Sequence, residues 1–75
     1  MAREPRQIPP VTRENIELVL ARFRACKTIE QVNLAAKETS HFVQDVADSA
    51  RHSVRALHIR NLAAYQRWKI RKGIQ

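Results

Sequence analysis

The sequence predicts an all-α fold, a small three-helix bundle with a long basic C-terminal helix. Three observations point there. Beyond Val11 the chain holds no proline and one glycine, Gly73, so nothing after the first eleven residues interrupts helix. From Ile16 to Trp68 the apolar residues recur at three- and four-residue steps, the period of amphipathic helices. Capping residues at Thr12, at Thr28 and at Asp48-Ser49 cut that span into three helix-sized pieces.

Residues 1–11 contain Pro5, Pro9 and Pro10 and read as an extended, flexible arm. Its Arg3 and Arg6 are within reach of a phosphate backbone or are simply part of a leader. Residues 12–73 form one helical domain. Thr12 caps the first helix, about 13–26, with Glu14 favourable to the dipole in the first turn and Asn15 where a full capping box wants Glu or Gln. Val11 and Ile16 hold the positions of a hydrophobic staple. Ile16, Val19, Leu20, Phe23 and Cys26 make the buried stripe. Cys26, the one cysteine, reads as a small apolar residue; it excludes an intrachain disulfide and fits a reducing compartment.

Thr28-Ile29-Glu30-Gln31 matches the capping box. It opens a second helix, about 29–46, carrying Ile29, Val32, Ala36, Thr39, Val43 and Val46 inward. No Gly or Pro falls between Thr28 and Lys72, and one helix over that span would run roughly 65 Å, a rare length. A break is therefore expected, at Thr39-Ser40-His41 or at Asp48-Ser49; the second has the stronger capping pair. The third helix then runs about 49–71. Gly73 ends it, with Lys69, Arg71 and Lys72 at its negative end.

This third helix carries the functional signal. Residues 1–50 hold seven basic and seven acidic side chains, whereas Arg51, Arg55, Arg60, Arg67, Lys69, Arg71 and Lys72 follow with no acid among them. The whole net charge of +7 thus sits on the last third, which predicts a basic surface facing something negative. Ala50, Val54, Leu57, Ala64, Tyr65 and Trp68 share about a third of the turn, with Asn61 in the middle of their arc. This seam is assigned to the core, Tyr65 and Trp68 with it; the other reading has the two aromatics stacking on unpaired bases. Asn61 then needs a hydrogen bond, across a two-fold axis or within one chain. A thinner apolar line on the opposite face, Ile59, Ala63 and Ile70, is the candidate dimer face. Burial of only about 60% of the unfolded surface is usual for a chain this short, so a homodimer is expected.

The segments Cys26-Lys27-Thr28-Ile29-Glu30-Gln31-Val32 and Asn61-Leu62-Ala63-Ala64-Tyr65-Gln66-Arg67 resemble small helical accessory proteins encoded by phages. These pair a Thr-capped helix start with a final helix carrying Ala-Tyr and then basic residues. The Leu-Pro that usually precedes that final helix is missing here. The resemblance implies an accessory role, of the kind that some such proteins play beside phage recombination, and it assigns no site residue.

Catalytic and metal-binding patterns are lacking. His52 and His58 are six residues apart, off the i, i+4 spacing of helical zinc ligands. Asp45 and Asp48 near a helix end read as a solvated pair or a cap. There is no Gly-rich phosphate loop, and no cofactor is implied. No apolar run approaches the roughly 20 residues that span a bilayer, and no signal core opens the chain. The location expected is the cytoplasm, of a cell or of an infected host. The function expected is that of a non-enzymatic regulator or accessory protein binding nucleic acid, DNA or RNA, through the last helix. The alternative is a phage-type inhibitor or adaptor docking on an acidic host protein. Arginine outnumbers lysine in residues 51–72 by five to two, which suits bidentate contacts to phosphate or guanine.

Overall fold

Helix starts and stops follow local capping chemistry. The computed structural model describes residues 9–73, and the element order is α1 Arg13–Arg24, α2 Ile29–Asp48, α3 Ser53–Lys72, an all-α three-helix bundle with no strand among the described residues. Arg3 and Arg6 lie outside those residues. Thr12 is extended and its hydroxyl accepts from the Asn15 N–H at 3.1 Å, satisfying one of the N–H groups that a helix start leaves free. The Asn15 amide in turn donates to the Pro10 carbonyl at 2.8 Å, which fixes the incoming chain. Val11 packs half-buried on the core that contains Ile16, as a staple requires.

Helix α1 stops at Arg24, two residues short of the expected end. Thr28 must be extended to cap α2 (φ −129°, ψ 158°), so the chain has to leave helical geometry before it. The Thr28 hydroxyl accepts from the Gln31 N–H at 3.1 Å. The return bond of the box shifts by one residue: the Gln31 side-chain oxygen accepts from the Lys27 N–H at 2.6 Å. Helix α2 runs unbroken past Thr39-Ser40-His41 because the two hydroxyls turn back on their own helix. Thr39 donates to the Ala35 carbonyl at 2.8 Å and Ser40 to the Lys37 carbonyl at 3.0 Å, so neither caps a new start.

The second break falls where expected but caps differently. Asp48 is the last residue of α2 and accepts from the Gln44 amide at 3.1 Å. Residues 49–52 turn, and α3 begins at Ser53 with His52 as an N-cap that makes no side-chain bond. The His52 Nδ1 is buried without a partner. At the other end Gly73 takes φ 72°, and its N–H meets the Ile70 and Lys69 carbonyls. Glycine adopts that left-handed geometry without the penalty a Cβ brings.

The core is Ile16 and Phe23 from α1, Val32, Ala35, Phe42, Val43 and Val46 from α2, and Ala56, Ile59 and Ala63 from α3. Helix α3 packs chiefly on α2 and secondarily on α1, with alanines at the contact permitting close approach. The body measures 44 × 34 × 16 Å. Each helix keeps an outward face, as the exposed residues on all three show.

That shape carries the main correction. Helix α3 sits about half a turn from the expected orientation. Ile59 is 1% exposed and Ala63 is buried beside it, while Ile70 is half-buried; the line Ile59, Ala63, Ile70 is internal and is no dimer face. The expected seam points out: Val54 is 66% exposed, Leu57 56%, Tyr65 52% and Trp68 47%, with Asn61 and Ala64 also exposed. Hydrogen bonding explains the choice. Turning the seam inward would bury the Asn61 amide, which is unfavourable without a partner. The inner line has its own amide, Gln66, and that one finds partners. Its Nε2 lies 3.4 Å from the Arg24 carbonyl and 3.5 Å from the Cys26 carbonyl, the groups that the end of α1 leaves free. Cys26 itself is half-buried against the core, its thiol donating to the Arg22 carbonyl at 3.3 Å.

Candidate nucleic-acid interface

Twenty residues of helix place side chains on a cylinder roughly 30 Å long, and α3 uses all sides of it. Its inner line is core. Its outer arc holds Val54, Leu57, Asn61, Ala64, Tyr65 and Trp68. Between them lie two basic flanks, Arg60, Arg67 and Arg71 on one side, Arg55 and Lys69 with His58 on the other. Arg51 stands exposed in the turn before α3, and Lys72 is exposed at the end of the helix.

The cations of this surface have no carboxylate partner among the described residues. Among the described residues the one ion pair is Arg22 with Glu38, joining α1 to α2. Arg67 is the best anchored of the α3 set: half-buried, it donates from Nε to the Asn33 side-chain oxygen of α2 at 3.0 Å. Its remaining guanidinium donors stay available. Arg60 and Arg67 border an open groove of about 350 Å³ between α2 and α3, floored by Phe23, Val43, Ile59 and Ala63. Thr39, Ser40 and Gln44 complete its walls, so the groove offers hydroxyl, amide and guanidinium groups over an apolar floor.

The C-terminal half of α3 gathers its aromatic and basic groups. The Tyr65 and Trp68 rings stack at 5.9 Å between centroids with 20° between planes. The Lys69 ammonium lies 5.5 Å from the Tyr65 ring centre, over its face, a cation–π distance. Arg71 and Lys72 follow within one turn. Of the predicted basic residues Arg67, Lys69, Arg71 and Lys72 lie along this half, divided between the two flanks, whereas Arg60 precedes it and Arg51 and Arg55 sit near the other end. Assigning Tyr65 and Trp68 to the core missed this cluster. The one sequence signal against that assignment is the Asn61 amide in the centre of the arc, and it is offset by the Gln66 amide on the opposite, buried line.

Among the described residues no group of His, Cys, Asp and Glu is placed to hold a metal ion, and no helix is long and apolar enough to cross a membrane. No protein-family model, curated protein or solved structure matches this chain.

Proposed function

We propose that this chain is a non-enzymatic regulator or accessory protein that binds nucleic acid through α3. The observation that carries the reading is that, among the described residues, no carboxylate pairs with the seven cations of residues 51–72. Helix α1 carries three bases and two acids, and α2 one base and four acids. On α3 no acid stands among the bases, which run from Arg55 to Lys72, the footprint that phosphate backbones select. Five of the seven cations are arginine, whose forked donors hold phosphate oxygens in pairs.

Filter binding against salt tests this. Four to six phosphate contacts predict a log–log slope of roughly −3.6 to −5.4, at about −0.9 per contact on B-DNA. No binding at low salt refutes the proposal and moves the basic surface to the rival partner, an acidic protein face, since carboxylates attract the same side chains.

A further inference from the structure

We infer that Tyr65 and Trp68 form a base-stacking platform, so that α3 prefers unpaired strands, DNA or RNA, to duplex. The inference rests on the nucleic-acid reading above and adds the class of nucleic acid. Two large aromatic side chains stand about half-exposed on the outer arc, outside the core cluster. They are also ordered, since each ring stacks on the other and Lys69 lies over Tyr65. A pre-stacked pair on a rigid helix loses little freedom when a base adds to it.

The arrangement matches the two chemistries of a single strand. From Val54 to Trp68 the outer arc is roughly 21 Å long at 1.5 Å per residue and is mostly apolar. An unpaired strand turns base faces toward such a surface and keeps its phosphates to the side. Arg60, Arg67 and Arg71 then meet the phosphates along about 16 Å of one flank. Asn61, exposed in the centre of the arc, has an amide that donates and accepts, which suits base edges of any kind. A duplex laid on the same face would press its charged backbone on Val54, Leu57, Tyr65 and Trp68 while its bases stayed stacked on one another. A second copy of the chain is a poor occupant, because it would bring a like set of unpaired cations against this one. An anionic lipid surface would have to bury the Asn61 amide among acyl chains.

Trp68 is the one tryptophan, so its emission reports the platform directly. The full chain is titrated with a short oligothymidylate, its RNA counterpart, a mixed-sequence duplex, phosphatidylserine vesicles and polyglutamate. The expected result is quenching of Trp68 by both single strands, with tighter binding than to duplex. Trp68→Ala lacks the emitting ring and is followed by filter binding; it should weaken single-strand binding about 5- to 150-fold, the range for loss of one stacked base, and duplex binding by less than about twofold. Trp68→Phe should restore most of the single-strand affinity, which separates stacking from any effect on folding. Equal binding of strand and duplex without quenching overturns the platform and leaves the nucleic-acid reading standing. No binding of any nucleic acid overturns both. A Trp68 response to vesicles or polyglutamate alone assigns the arc to that partner and overturns the inference.

Discussion

The orientation of α3 can be tested by two truncations, two residues apart. Ile59 is 1% exposed and Leu57 is 56% exposed. Ile59→Ala removes three buried carbon groups, each worth about 0.8 kcal/mol, for roughly 2.4 kcal/mol of lost transfer energy. A cavity term adds to that in closed cores. Here the term should be small, because Ile59 lines an open groove into which neighbours and water can move. A few tenths return through alanine's better helix propensity. The expected cost is therefore about 2–3 kcal/mol, against a total of roughly 4–11 kcal/mol for a chain of this size. Leu57→Ala removes carbons that are already largely solvated and should change stability by less than about 0.5 kcal/mol. Urea unfolding followed by far-UV circular dichroism reads both. With a slope near 1 kcal/mol per M for a small domain, Ile59→Ala should lower the midpoint by roughly 2 M and Leu57→Ala by under about 0.5 M. The reverse order would refute the reasoning. It would put Val54, Leu57, Tyr65 and Trp68 back in the core and leave no exposed platform.

Two further outcomes follow from the packing. Gln66→Ala should cost about 1–2 kcal/mol in the same assay, since it leaves the Arg24 and Cys26 carbonyls unserved behind a small void; the low end is expected because both contacts are long, at 3.4 and 3.5 Å. Sedimentation at low salt and high micromolar concentration should return a mass near the 8.7 kDa of one chain, because the line Ile59, Ala63, Ile70 is internal and the outer arc is bounded by like charges within about a Debye length; a dimer would make that arc a self-interface.

Features set by a few neighbouring residues were readable without coordinates. Thr12, Thr28 and Gly73 each act within three or four residues of themselves, and all three do in the fold what their residue types predict. Boundaries that depend on hydroxyl direction were harder. Thr39 and Ser40 are capping residues by type, yet bond backward to carbonyls of their own helix, and Asp48 spends its carboxylate on Gln44 instead of starting α3. Phe42 joins the core beside Val43 although it stands off the expected stripe of α2. The orientation of α3 was out of local reach altogether. Apolar residues lie on two opposite sides of it, and the larger set looks like core. What decides between the sides is Gln66 meeting carbonyls of α1, about forty residues earlier in the chain, while Asn61 has no such partner on its side.

The same geometry explains why the basic surface was legible and the aromatic one was not. Arg60, Arg67 and Arg71, and Arg55 with Lys69, occupy the two flanks between the apolar lines. A half-turn of α3 exchanges the lines and leaves the flanks at the same distance from the core. The charge is therefore exposed in either orientation, and its asymmetry along the sequence predicts a basic face without knowledge of packing. What the rotation changes is the strip between the flanks. With the expected seam inward, the cations would border Ile59, Ala63 and Ile70, aliphatic groups that offer a nucleobase only burial. With it outward, they border the Tyr65–Trp68 stack and the Asn61 amide, which add a π-face and a donor–acceptor pair. For a nucleic-acid partner the arginines would supply sequence-independent attraction in both cases, so the proposed preference for unpaired strands would have to come from the strip, and it depends on α3 facing the way Gln66 holds it.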